Sequence, residues 1–447
     1  MGVWQRSPGS RREALSHPEL RRQYDRILPG WTDEDISGSP YAIHAYELNP
    51  FLGQPAELAQ LKSKLNRLGL KLILGFVPNH LAFDHPWVSE YPERFVCRET
   101  VEPVHLGWFF LPETSRYLAR SRYFAHGRDP NFPPWTDTVQ VNFFSTDLRQ
   151  ALIEELKKIA EVADGVRCDM AMLALNEVFE RVWGKFTDCP RPEKEFWTEA
   201  IGQIKQEHPD FLFLAEAYWD LERKLQQLGF DFTYDKTLYD RLRFANNGDI
   251  RSHLADIPYQ QRSAHFIENH DEQRAVTAFG RERSLAAAVV VSTIPGLRLF
   301  HNGQLEGYRI HLPVQLMRQP EEITDPNIQH FYEQLLQACN SPVFHEGDWG
   351  MLDLDPAGQG DNSHHNMLAW YWQYKEQVKI VVVNYSAEPS HGWLNLPSET
   401  IEKIPLHEEL LGATQTYNVK HIERRQLYLE LKPWEGQILD LTAVTTA

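Results

Sequence analysis

Leucines at 58, 61, 65 and 68 recur at helical spacing among polar residues, and Gly69 supplies a C-terminal stop, so a helix is predicted there. The stretch LKLILGFV (70–77) is apolar without alternation and predicts a buried strand that Pro78 ends. The alternation then repeats. Thr146 or Asp147 is expected to cap a helix with Leu148, Leu152, Leu156 and Ile159 on one face, and the strand GVRCDM (165–170) follows. A helix near 192–207 leads to FLFLAEAYW, one near 219–228 to FDFTYD, one near 249–256 to HFIENHDE, and SLAAAVVVSTI leads to LRLFHNG. Helices alternating with short apolar strands require a parallel sheet, and this many repeats favour an α/β fold of the (β/α)8 TIM-barrel type over an open sheet.

Three stretches break the pattern. Residues 1–50 are rich in turn formers and aromatics around a helical-looking REALSHPELRRQYDRIL, and read as a long loop excursion. Residues 81–140, with many prolines and little periodicity, read as an inserted loop subdomain. Beyond Asn340 the segments MLAWYWQYK, VKIVVVNYS, GWLNL, RRQLYLEL and GQILDLT are short strands joined by turns, which predicts an antiparallel β-sandwich. The expected organisation is a barrel domain over 1–340 and a β-sandwich domain over 341–447.

Composition narrows the partners. With 447 residues, 42% of them hydrophobic, the chain can fill two cores. A formal charge of −17 opposes nucleic acid or an anionic membrane as partner, because both attract basic patches. A neutral ligand fits better. Cys97, Cys168, Cys189 and Cys339 lie far apart without metal-ligand spacing and read as reduced thiols of a cytoplasmic protein. The N-terminus carries no apolar signal core, and the longest apolar run, around Leu285 to Ile294, is too short to span a bilayer.

The chemistry gathers where strands end. Alternate strand residues share a face, so Arg167 and Asp169 emerge side by side, and the guanidinium should keep the aspartate ionised. Asn79 and His80 end another strand, Glu216 a third, and Asn269, His270 and Asp271 a fourth; in a barrel such ends converge on one pocket. Any one of 62 acidic residues is ordinarily a solvated surface charge or a helix cap. At the end of a buried strand an idle charge would be costly, and that shifts the balance toward use.

Four motifs in order, GFVPNH (75–80), GVRCDMAM (165–172), FLAEAYW (213–219) and FIENHD (266–271), resemble those of the α-amylase family, glycoside hydrolase family thirteen. The resemblance implies Asp169 as nucleophile, Glu216 as general acid/base and Asp271 as a carboxylate that binds sugar hydroxyls. It implies that Arg167 orients Asp169, that His80, His270 and Asn269 contact the sugar, and that Tyr41 stacks on it. A retaining glycosidase needs one ionised carboxylate and one that keeps a proton, and Tyr218 and Trp219 suggest an aromatic setting that would raise the pKa of Glu216.

The sequence departs from the family at several points. Gly75 stands where the first motif usually begins with an aspartate that supports the arginine. Gln140, in VQVN, replaces an aspartate that in many relatives shares a calcium site with the residue matching Asn79; calcium binding is thus allowed but not implied, and no cofactor is required. Ala45 replaces an aspartate of many exo-acting relatives. A phrase like GVWQRSP follows the second barrel strand in the family, so the barrel is expected to be incomplete at its N-terminus, with apolar edges exposed. The expected activity is retaining hydrolysis of α-linked glucose oligo- or polysaccharides. The alternatives are glycosyl transfer through the same intermediate and a sugar-binding barrel that has lost turnover.

Overall fold

The computed structural model describes residues 2–112, 122–397, 407–408, 422–423 and 426–441. The chain forms two compact units, Met1–Tyr234 with Leu312–Pro320, and Asp235–His311 with Glu321–Ala447.

In the first unit, strands β1 (Ile73–Phe76), β2 (Gly165–Cys168), β3 (Leu212–Ala215) and β4 (Phe232–Tyr234) lie side by side in that order, all parallel. Helices α1 (Pro55–Arg67), α2 (Thr146–Val162) and α3 (Phe196–Glu207) precede β1, β2 and β3. The expected stripe of α2 is buried, Leu148, Leu152 and Leu156 completely, and each such side chain contributes about 1.5–3 kcal/mol. Its cap is Ser145, one residue earlier than expected, whose hydroxyl accepts from the Leu148 N–H. Val166 and Phe213 are fully buried between helices, which is why these strands read as continuous apolar runs. Gly165 has to be glycine, since a Cβ would stand 2.7 Å from the Leu212 carbonyl oxygen.

The N-terminal stretch holds more structure than a loop excursion. Helices Pro8–Ser16 and Pro18–Ile27 divide the helical-looking segment at His17, because Pro18 suits the first turn of a helix but cannot continue one. Trp4–Arg6 pairs antiparallel with Ile43–Leu48. The latter strand buries only Ile43, so its periodicity is weak. Within 81–140, Thr138–Gln140 pairs with His80–Ala82, and Cys97–Arg98, Tyr123–Ala125 and Phe109–Phe110 form a small sheet; residues 113–121 lie outside the described residues. An apolar strip faces solvent along α1 and the edge of β1, with Leu68 75% and Leu70 53% exposed, joined by Leu61, Ile73, Phe51 and Leu52.

In the second unit, β5 (Ser263–His265) pairs parallel with β6 (Leu297–Arg298). The helix Arg281–Thr293 matches its prediction, whereas the helix Lys236–Phe244 was hidden behind the strand signal of FDFTYD. Asp235 caps it by accepting from the Leu238 N–H. From Asp348 onward the strands are antiparallel. One sheet orders Asp348–Met351, Met367–Tyr374, Gln377–Asn384, Gly436–Asp440 and His407–Glu408; the other orders Leu354–Pro356, Ser390–Asn395, Gln426–Leu431 and Ile422–Glu423. Ile380, Val382 and Leu439 of the first pack with Leu394, Leu427 and Leu429 of the second in one core, which is the expected sandwich. Arg424 and Arg425 of the expected strand RRQLYLEL lie outside the described residues. The indole N–H groups of Trp370 and Trp372 both donate to the Thr293 carbonyl, tying the sandwich to the helix Arg281–Thr293. All four cysteines are free thiols. Among the described residues no helix is long and apolar enough to cross a membrane.

Candidate active site

The ladder continues past the formal end of β2, since Asp169 N–H donates to Phe76 O at 2.8 Å, and so Arg167 and Asp169 lie on one face as their spacing requires. Glu216 occupies the same level on β3, its N–H donating to Cys168 O at 3.0 Å. The guanidinium joins the two carboxylates: Arg167 Nη1 donates to Asp169 Oδ1 at 2.6 Å, and Nη2 lies 2.9 Å from Glu216 Oε2. All three side chains are buried. Burial opposes the charge of Arg167, but Glu216, Tyr234, Asp169 and Tyr41 outweigh it and hold the guanidinium protonated far beyond its ordinary range.

The surroundings of Glu216 differ from the aromatic wall expected. Its Oε2 also accepts from the Met170 N–H at 2.7 Å, and its Oε1 from the Tyr218 hydroxyl at 2.8 Å. These donors hold both oxygens of the carboxyl group in place, and the ring of Tyr218 meets it through its polar end. Met170 (φ 43°), whose N–H meets Glu216, sits in the left-handed region, as do Trp219 (φ 65°) and Asp220 (φ 59°) just beyond the carboxylate in the chain.

Gly75 stands opposite Arg167 in the β1–β2 register, and it offers the guanidinium no carboxylate. Support comes from β4 instead: Arg167 Nε donates to the Tyr234 hydroxyl at 3.2 Å, with the guanidinium carbon 5.4 Å from the ring centre. The Gly75 carbonyl accepts from the Trp4 indole at 2.6 Å, so the N-terminal segment is pinned to this strand. Sequence reasoning missed Tyr234 and the Met170 N–H, and it took Tyr218 as an aromatic neighbour of Glu216 rather than a hydrogen-bond donor to it. Tyr218 lies two residues beyond Glu216 and Tyr234 at a strand end, and those positions were the available signals.

His80 is buried against Trp135, ring centres 4.9 Å apart, and burial lowers its pKa to about 4 despite the opposing pull of Asp137. Tyr41 is half-buried and close enough to Arg167 to favour its charge. Asn79 does not suit a calcium ligand. Gln140 Nε2 donates to Asn79 O at 3.0 Å, to Asn79 Oδ1 at 3.1 Å and to Val141 O at 3.1 Å, so an amide hydrogen already faces the oxygens a cation would use. Among the described residues no three His, Cys, Asp or Glu side chains form a metal cluster.

The second unit carries the remaining predicted residues. Asn269 Oδ1 accepts from the N–H groups of Asp271 and Glu272, both at 2.9 Å, which shapes the turn after β5. His270 Nε2 lies 3.0 Å from Asp271 Oδ2. Buried Glu268, which sequence reasoning did not single out, accepts from Arg274 Nη1 and the Ala275 N–H, each at 2.7 Å, and braces the segment. The structure thus brings Arg167, Asp169 and Glu216 together in one unit and Asn269, His270 and Asp271 together in the other.

The description "Alpha amylase, catalytic domain" fits residues 32–330, two-thirds of the chain, a span that includes Arg167, Asp169, Glu216 and Asp271. The chain belongs to the alpha-amylase family. Among its relatives, alpha-amylase MalA of Haloarcula japonica is 25% identical over 383 residues, covering 80% of this chain and 50% of that protein. An alpha-1,4-glucan:maltose-1-phosphate maltosyltransferase of Rhodospirillum rubrum is 28% identical over 284 residues, covering 60% of this chain and 35% of that protein. The chain therefore spans about half the length, or less, of these curated relatives. The crystal structure of the maltogenic alpha-amylase AmyB from Thermotoga neapolitana superposes with a TM-score of 0.64 at 20% identity, covering 99% of this chain and 97% of that one, and shows a shared fold.

Proposed function

We propose that this alpha-amylase family chain is a retaining glycoside hydrolase acting on α-linked glucose oligo- or polysaccharides. The observation that carries the reading is the single buried guanidinium of Arg167 bridging Asp169 and Glu216. Asp169 attacks the anomeric carbon as the bond to the leaving oxygen breaks, and Glu216 delivers its proton to that oxygen, leaving a glycosyl ester on Asp169. Esterification removes the negative charge from Asp169, so Arg167 then favours the ionised form of Glu216. Glu216 in that form takes a proton from water as the water attacks the ester, and free sugar leaves. The Met170 N–H and the Tyr218 hydroxyl hold Glu216, and Tyr234 holds Arg167 and through it Asp169, oriented through this exchange. Asp271, by family position, binds the sugar hydroxyls, with His80, His270, Asn269 and Tyr41 as further sugar contacts.

The finer architecture goes with this reading. The parallel strands belong to a (β/α)8-type barrel whose catalytic part ends near Ser341; the free thiols support a cytoplasmic setting.

Incubation with a fluorinated α-glucosyl substrate should trap a covalent adduct on Asp169, located by peptide mass. Failure to form one, with binding retained, would leave a carbohydrate-binding protein without turnover. The maltosyltransferases among the relatives favour one other outcome, transfer of the glycosyl unit to a sugar acceptor. Product analysis with maltooligosaccharides separates them, since new longer oligomers mean transfer whereas glucose or maltose alone mean hydrolysis.

A further inference from the structure

His80–Ala82 and Thr138–Gln140 form a two-stranded ribbon, and the ladder runs one step past it, Phe83 N–H donating to Asp137 O at 3.1 Å. Two aspartates at that end grip the first turn of the helix Pro8–Ser16. Asp84 Oδ1 accepts from the Ser7 hydroxyl at 2.5 Å and its Oδ2 from the Gly9 N–H at 2.8 Å, the sign of charge that a helix N-terminus favours. Asp137 Oδ2 reaches one residue further and accepts from the Ser10 hydroxyl at 2.6 Å.

Ser10 is buried and meets a second group, its Oγ accepting from the Ser39 N–H at 2.9 Å. A backbone N–H can only donate and a serine hydroxyl has one hydrogen, so that hydrogen is committed to Asp137 and a lone pair to Ser39. The run of bonds then continues to the candidate site. Ser39 Oγ accepts from the Tyr41 N–H at 3.2 Å, and Ser39 O from the Ala42 N–H at 3.3 Å. Residues 37–42 belong to no helix or strand, so groups that reach in from elsewhere set the direction of Tyr41. Gly38 keeps that approach close: a Cβ there would stand 2.7 Å from Arg11 N, and its φ of 78° lies in the left-handed region.

We propose that Ser10 and Asp137 are positioning residues for Tyr41. Asp137 fixes the rotation of the Ser10 hydroxyl, Ser10 fixes Ser39, and Ser39 holds the turn that carries Tyr41. That Tyr41 contacts sugar rests on the function proposed above, whereas the bonds that aim it do not. Tyr41 moves no proton in that mechanism, so its misplacement weakens substrate binding more than the chemical step.

The test combines maltotriose kinetics with hydrogen–deuterium exchange of the full chain. Ser10→Ala should raise KM about fivefold, as the loss of one net hydrogen bond predicts, with kcat within twofold of the native value. Asp137→Ala should do the same, and Asp137→Asn, whose amide oxygen can still accept from Ser10, should return KM to within twofold. In a Tyr41→Ala chain, Ser10→Ala should change KM by less than twofold, because the group it aims is gone. Equal effects of Ser10→Ala with and without Tyr41 overturn the positioning, as does a loss confined to kcat. Exchange at the Ser39 and Tyr41 amides should quicken about fivefold in Ser10→Ala and in Asp137→Ala, with Thr146–Val162 unchanged. Unaltered exchange in both variants overturns the proposal whatever the activity. Quickened exchange at those amides in a chain that cleaves no maltotriose upholds the positioning and fails the hydrolase reading instead.

Discussion

Two buried arginines, one in each unit, show what the same residue types can be used for. Arg274 is spent on structure: Glu268, the Asn302 carbonyl and the Ile310 carbonyl accept from it, while the second oxygen of Glu268 takes the Ala275 N–H and anchors the next helix. Arg167 instead serves two carboxylates at once and leans on a phenol, Tyr234, while Gly75 opposite it offers no side chain. One ion pair is closed around a turn, and the other is a shared cation whose preference can pass from one carboxylate to its neighbour. Burial alone does not distinguish them, because Glu268 is as deeply buried as Glu216. What differs is whether a second carboxylate competes for the cation.

The comparison is broken most severely by Asp169→Asn. Turnover should fall by at least the roughly 100- to 10,000-fold associated with a lost proton-transfer group, while urea unfolding should move less than in Glu268→Ala, because Arg167 keeps Glu216 as counter-ion. Equal loss of stability in both variants would mean that Arg167 is as closed a pair as Arg274. Glu268→Ala should cost about 3–5 kcal/mol in unfolding free energy, since it strands a buried guanidinium.

Tyr234→Phe sharpens the contrast at smaller scale. Removing the acceptor of Arg167 Nε should cost about 1.5–3 kcal/mol and shift the pH profile of turnover; an unchanged profile would make Tyr234 a packing residue only. The smallest effect concerns His80. Its folded pKa of about 4 lies below the ordinary 6.5, so the unfolded chain takes up this proton first and stability is lost as pH falls between those values. His80→Gln should flatten the unfolding free energy across that interval and leave it unchanged above pH 7.

Much of the fold could be read before any coordinates. The stripe Leu148, Leu152, Leu156 and the apolar run LFLA reported a helix and a strand because burial on one face or on both leaves distinct periods. Ile43–Leu48 escaped notice because a strand with one buried residue leaves almost no period, and the helix Lys236–Phe244 because its cap, Asp235, follows directly on a strand. At the site, the carboxylates were legible from strand-end position and motif. The donors were not: Tyr234 reaches Arg167 across 67 residues, and the Met170 N–H reaches Glu216 across 46.

The alternation of the main helices and parallel strands, and the pairing of Arg167 with Asp169, followed from the sequence alone, because burial periodicity and the two-residue repeat of a strand are local properties of the chain. That Glu216 shares the same guanidinium, that Tyr234 supports it from β4, and that Gln140 turns its amide toward the oxygens of Asn79 were decided only by tertiary packing. Those contacts join residues distant along the chain, and their energies depend on the few tenths of an ångström and the burial that only the folded arrangement supplies.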